Sequence, residues 1–132
     1  MPLHQRDFIL RLIEQAGVAV ARLKAMLGLG DAAEAETVIH EAEGAQSALL
    51  GPTWPTVRLL DPASAAMLVG DPRRVSAWAE LLRLQAAAYE IRGDGAEAER
   101  LTNRAEALER EAGRLKLAAE GGAGTTDPAV QT

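Results

Sequence analysis

An all-α fold of two antiparallel helical hairpins joined by a short-helix linker is what this chain of 132 residues predicts, and three observations carry the prediction. Apolar residues recur at helical spacing over long stretches, while strand formers never alternate over a useful length. The stretches end at glycines or prolines and restart at aspartates, which is the punctuation of helix termini. The hydrophobic content of 48% is largely Ala and Leu, and the aromatics are Phe8, Trp54, Trp78 and Tyr89. Small side chains let helices approach closely, so alanine-rich helix packing is the expected core chemistry.

The first helix is expected from about residue 6 to 27, behind a frayed lead of residues 1–5. Phe8, Ile9, Leu12, Ala16, Val20, Leu23 and Leu27 share one face, and Asp7, Arg11, Glu14 and Arg22 lie elsewhere. Gly28 and Gly30 end it. Asp31 then caps a second helix over 32–50, whose buried face is Ala35, Val38, Ile39, Ala42, Ala45 and Leu49, and Gly51-Pro52 closes it. Residues 6–50 thus form the first hairpin. In the linker, 51–71, Pro52 and Pro55 bracket Trp54, residues 56–60 have room for one helical turn, and Asp61-Pro62 starts a short helix ending at Gly70. The run Ala65-Ala66-Met67-Leu68-Val69 is apolar almost all round, so it either plugs the end of the bundle or faces a partner.

The stretch 75–91 is pivotal. At about 100° per residue, Val75, Ala79, Leu82, Ala86 and Tyr89 make one stripe, and Leu81, Leu84, Ala88 and Ile91 make another roughly opposite. Charge is confined to narrow strips carrying Glu80, Arg83, Glu90 and Arg92. A helix apolar on two sides has to be covered on two sides, which places it inside the bundle. Trp78, at the edge of the first stripe, belongs to the core. Asp71-Pro72 starts this helix and Gly93 stops it. In the following helix Ala98, Leu101, Ala105, Leu108, Ala112, Leu115 and Ala119 share one arc, leaving Glu97, Arg100, Arg104, Glu106, Arg110 and Glu111 outside. Glu106 and Arg110 stand i,i+4 in the favourable order, worth ~0.2–0.5 kcal/mol. Residues 72–120 are the second hairpin, and 121–132, with Gly-Gly-Ala-Gly and little bulk beyond Val130, reads as a flexible tail.

The two hairpin turns carry nearly the same segment. Gly30-Asp31-Ala32-Ala33-Glu34-Ala35-Glu36 matches Gly93-Asp94-Gly95-Ala96-Glu97-Ala98-Glu99, and Ala42 and Ala105 follow at equivalent places. This pattern resembles the tetratricopeptide repeat (TPR), whose turn commonly reads Gly-Asp-x-x-x-Ala with another small residue seven positions on. Ala35 and Ala42, and Ala98 and Ala105, stand in those places, and Ala86 and Tyr89 match the small and aromatic residues of the first repeat helix. The repeat interval is 63 residues, Gly30 to Gly93, where the family has ~34. Ile39 and Thr102 stand where the family's second helix carries a large aromatic. The opening Arg6-Asp7-Phe8-Ile9-Leu10-Arg11-Leu12-Ile13-Glu14-Gln15 and the Leu59-Leu60-Asp61 linker are similar to a family of short, uncharacterised bacterial TPR-like proteins. The resemblance implies a TPR-like array of two hairpins and a role in protein–protein interaction, with no activity to carry over.

Composition narrows the function classes. The net charge is −5 and cysteine is absent. Arginines interleave with glutamates and form no basic block, which argues against a nucleic-acid surface. There is no thiolate nucleophile, disulfide frame or Cys-ligated metal site. Arg6, Asp7, Arg11 and Glu14 interrupt the N-terminal apolar run, so it is not a signal peptide. No segment approaches the ~20 apolar residues that span a bilayer. A cytoplasmic bacterial protein with no membrane contact is the expectation.

The residues that could carry chemistry are few. Glu36, His40 and Glu43 are spaced i, i+4, i+7 on one side of the second helix, and such a set could hold a divalent metal. That side is opposite the apolar stripe, and a metal bundle needs matching inward ligands on several helices, so an ordinary solvated face is the plainer reading. Ser47, Ser64 and Ser76 lack a Gly-x-Ser-x-Gly setting, and the glycine-rich turns follow no strand and carry no Gly-Lys-Ser/Thr. The glutamates after each turn, 34 and 36, 97 and 99, suit the positive end of a helix dipole. No catalysis and no cofactor are expected. Trp54 either packs over the seam between hairpins or stands as a partner anchor, and with Met67, Leu68 and Val69 it is the candidate partner-binding set. Ordinary TPR grooves need about three stacked repeats, so the expected partner is a protein, first of all a second copy of this chain. The alternatives are a metal-binding bundle at Glu36, His40 and Glu43, or a small-ligand carrier with a pocket between the hairpins under Trp54.

Overall fold

Helices α1 (Leu3–Leu27), α2 (Ala32–Leu50), α3 (Trp54–Val57), α4 (Pro62–Val69), α5 (Pro72–Arg92) and α6 (Gly95–Gln131) follow one another in the computed structural model, with a 3₁₀ turn at Gly51–Thr53. The structure describes the backbone of residues 3–131 and the side chains of residues 6–121, and no strand occurs among them.

Aspartates start the helices as the sequence predicts. The carboxylates of Asp31, Asp61, Asp71 and Asp94 accept from the backbone N–H of Glu34 (2.8 Å), Ser64 (3.0 Å), Arg73 (2.8 Å) and Glu97 (3.3 Å). Each bond satisfies a donor that has no partner within its helix. The hairpin turns pass through Gly30 at φ +71° and Gly93 at φ +92°, a region that costs other residues about 1–2 kcal/mol. At the second turn the Gly93 and Asp94 N–H groups close back on the carbonyls of Glu90 (3.0 Å) and Tyr89 (2.9 Å).

α5 is the axis of the packing. It contacts α1, α2 and α6; α1 also packs on α2, and α4 on α6. Both predicted stripes are covered: Val75, Ala79, Leu82 and Ala86 are buried, and so are Leu81, Leu84 and Ala88. Tyr89 is half-buried and Ile91, at the last turn, is exposed. Against this axis lie Val38, Ile39, Ala42 and Leu49 of α2 and Ala98, Leu101, Ala105 and Leu108 of α6, all buried. Alanine at 35, 42, 98 and 105, each at most 5% exposed, is where small side chains let the backbones close up.

The structure departs from the periodicity at the ends. α1 begins at Leu3, not near residue 6, and only its second half is sealed, by Ala16, Val20 and Leu23. Phe8, placed by its spacing on the buried face, is 58% exposed. Spacing tells which side of a helix faces its neighbours, but not how far those neighbours extend. The turn expected at 56–60 lies at Trp54–Val57, because Pro55 fits a first helical turn and starts it earlier. α6 runs on as helical backbone to Gln131, past the end expected near 120, through the stretch read as a flexible tail. Leu115 is half-buried and Ala119 exposed, so packing on the bundle fades well before that.

Candidate binding surfaces

The seam between the hairpins is tied by buried amides. Trp78 is 1% exposed, and its indole N–H donates to Gln46 Oε1 at 3.0 Å. Gln46 Nε2 donates to Gln85 Oε1 at 3.0 Å, and Gln85 Nε2 to the Ile39 carbonyl at 3.0 Å. The relay crosses between α5 and α2 three times, starting on α5 and ending on α2. A buried polar group left without a partner costs about 1–3 kcal/mol, so the relay favours one register of α5 on α2 over slipped alternatives. Neither glutamine stood out in the sequence, since both sit among apolar residues without a motif.

Arginines close this seam from the linker side. Arg104 lies over the Trp78 ring at 5.2 Å and donates to the carbonyls of Leu60 (2.9 Å) and Val57 (3.0 Å). Burial, and then the neighbouring Arg100 charge, hold its pKa below the ordinary guanidinium value. Arg74 donates to the Leu49 carbonyl at 2.7 Å. Both donate to carbonyls at or near helix ends, and the Val57 carbonyl also accepts the Leu60 N–H at 3.2 Å.

Trp54 packs down over the same seam. It is half-buried, with its ring edge-on to Trp78 at 6.3 Å and 79°. Beneath it lies a pocket of about 320 Å³ between α2, α5 and α6, bordered by Arg58, Tyr89 and Arg100. Arg100 and Glu97 pair there through two bonds of 3.0 and 2.6 Å.

A larger groove, about 1070 Å³, opens between α1 (Ile9 to Val20), the start of α5 and the middle of α6 (Glu109 to Lys116). Ile9, Ile13, Val20, Val69, Ala77 and Ala112 give it apolar walls, with Asp71, Arg73, Glu80, Glu109 and Lys116 also lining it. Arg73 pairs with Asp71, and Glu109 with Arg83. Gly17 and Gly113 line it too, and a Cβ at either would meet nothing within 4 Å. Of the candidate partner residues, Val69 lines the groove, whereas Met67 and Leu68 stand exposed at 77% and 50% on α4. Sequence reasoning missed this groove because its walls come from opposite ends of the chain. Two of its three helices carry an interior glycine, Gly17 in α1 and Gly113 in α6, each costing a helix about 1 kcal/mol relative to alanine.

Glu36, His40 and Glu43 fall into different settings. The Glu36 carboxylate accepts two bonds from Arg92 Nη1, at 2.9 and 3.1 Å, and lies 3.5 Å from His40 Nε2. The Arg92 hydrogen bond, chiefly, holds its pKa below the ordinary value. Glu43 borders the pocket under Trp54. Among the described residues no group of three or more His, Cys, Asp or Glu is placed to hold a metal ion.

Fold and surfaces together define an all-helical chain with an apolar groove on one flank of its central helix and a polar, arginine-bordered pocket on another. Among the described residues no helix is long and apolar enough to cross a membrane. Comparison with family models, with curated proteins and with solved structures finds no match.

Proposed function

We propose that the chain is a TPR-like protein–protein interaction module that associates with a second copy of itself, acting by binding and not by catalysis. The carrying observation is the groove between α1 and α6. Its walls are partly apolar, yet none of the described residues in the first half of α1 is buried, and Phe8 and Leu117 stand 58% and 68% exposed. Exposed apolar surface of this kind marks an interaction site more often than chance. A second copy is the occupant that the charge favours. A two-fold interface sets one patch against itself and therefore needs both signs of charge. The groove carries Asp71, Glu80 and Glu109 beside Arg73 and Lys116. The TPR-like reading of the two hairpins rests on the matched turns at Gly30-Asp31 and Gly93-Asp94, whose caps and left-handed glycines are alike.

The glycines supply the test. Gly17→Gln and Gly113→Glu each place a side chain in open groove space without disturbing the fold, and each removes a helix-interior glycine. Light scattering across a concentration series should show a dimer for the natural chain and a monomer for both variants, at unchanged helicity. A natural chain that stays monomeric throughout overturns the reading, and so does a pair of variants that still dimerise.

A further inference from the structure

Side-chain pairs between neighbouring helices fix how far α1 reaches past them. α1 and α2 run antiparallel, and Arg22 pairs with Glu41. Nine residues back along α1 and nine on along α2, Ile13 stands about level with Leu50, the last residue of α2. The contacts of Arg74 with Leu49 and of Arg92 with Glu36 make α5 antiparallel to α2, and so parallel to α1. Lys24 lies 3.9 Å from Glu80. Eight residues back on each, Ala16 is about level with Pro72, the first residue of α5. Ala16 is also the first buried residue of α1 among those described. Residues 3–12 therefore form an arm that clears both neighbours, about 15 Å long at ~1.5 Å per residue. Across the groove Arg83 pairs with Glu109, which sets Glu120 about level with Pro72, and α6 too runs on past the start of α5.

We propose that each copy of the chain lays this arm in the groove of the other, so that two α1 arms and two α6 helices close into a four-helix bundle about a two-fold axis. The arrangement rests on the self-association proposed above and assigns it to one segment.

The arm has the surface for this. Phe8, Ile9, Leu12 and Ile13 recur at helical spacing in one apolar stripe, and none of them is buried. A helix this short is marginal in water unless an apolar face is packed, and the single chain buries residues of α1 only from Ala16 on. The groove offers Gly17, Ala77, Ala112 and Gly113, small residues that let another helix approach closely. Charge agrees. The arm holds Arg6 and Arg11 against Asp7, and among the described residues neither arginine pairs with a carboxylate. The groove holds Asp71, Glu80 and Glu109 against Arg73 and Lys116. Arm and groove thus attract, although the whole chain carries −5. A foreign helix would fill the groove but leave this chain's own arm uncovered. A second copy does both, since the chain that receives an arm also gives one.

The chain has no cysteine, so introduced thiols report without interference. Phe8→Cys in one copy and Lys116→Cys in a tagged copy, both at exposed positions, should be joined by a short bismaleimide into a mixed adduct wherever the chain is dimeric. Phe8→Cys mixed with Ala33→Cys, exposed beside the first hairpin turn, should not. Phe8→Asp should raise the dissociation constant of the dimer at least about tenfold, at unchanged helicity. A dimer indifferent to Phe8→Asp, or one that links positions 8 and 116 no better than 8 and 33, overturns the arm exchange and leaves self-association standing. A natural chain that stays monomeric at every concentration overturns both.

Discussion

Helices α1 and α5 open the two hairpins, share the same kind of turn at their C-terminal ends, and are treated oppositely by the fold. α5 is enclosed: α1, α2 and α6 pack on it, both apolar stripes are buried over most of their length, and it carries the fully buried Trp78 and the buried Gln85. α1 is sealed only from Ala16 onward, and its first half borders an open groove. One hairpin alone covers a single stripe of each arm. The second hairpin gains its two-sided burial from the first, and nothing within the described chain returns the favour to the start of α1. Where a helix lies in the order of packing, more than its own periodicity, decides whether its apolar residues are core or contact surface.

The contrast breaks hardest at its largest side chains. Trp78→Ala empties a site that is 1% exposed and orphans Gln46, and is expected to cost about 3–5 kcal/mol. Phe8→Ala, at 58% exposure in the single chain, is expected to stay within about 0.5 kcal/mol. Urea denaturation of both variants at concentrations where the chain is monomeric checks the pair, and comparable losses would erase the distinction between the two helices.

A finer probe is the relay that only α5 possesses. Gln46→Leu keeps the volume but leaves the Trp78 N–H and Gln85 Oε1 unpartnered, with an expected loss of about 1–3 kcal/mol. The double change Gln46→Leu with Gln85→Leu removes both amides and should recover part of that loss. If the single change proves neutral, the relay does not hold α5 in place.

Acid should produce the smallest effect. The carboxylates of Glu36, Asp61, Asp71 and Glu97 have folded pKa values below their ordinary ones. The causes are foremost the side-chain bonds of Arg92, Ser64 and Arg100 for Glu36, Asp61 and Glu97; at Asp71 burial opposes, and bonds from Arg73 outweigh it. Their contribution is therefore present above the ordinary carboxylate range and is lost as pH falls through the depressed values. Melting temperature should be flat between about pH 6 and 8 and decline only in acid, with α4, α5 and α6 losing their N-terminal carboxylate contacts. A melting temperature that rises on acidification in that range would contradict the assignment.

The fold was largely legible in the sequence because its signals are local. Asp31, Asp61 and Asp71 cap where their neighbours said they would, Gly93 takes the left-handed turn, and the double stripe of α5 foretold burial on both sides. The surfaces were less legible because they are made by distance. The groove joins Ile13 to Ala112, and the amide relay joins Gln46 to Gln85, across separations that periodicity does not see. Trp54 needed the structure to show that Trp78 lies beneath it. The mid-helix glycines 17 and 113 stand beside open space where a Cβ would meet nothing within 4 Å, as Gly44 does outside the groove.

Hydrogen exchange followed by mass spectrometry at low and high protein concentration bears most directly on the contrast between an enclosed α5 and a half-covered α1. Residues 76–90 should exchange slowly at both concentrations. Residues 6–15 and 109–117 should exchange quickly when dilute and gain protection together as the protein is concentrated. Protection of 6–15 equal to that of α5 in dilute solution, or no change in either segment on concentration, would contradict it.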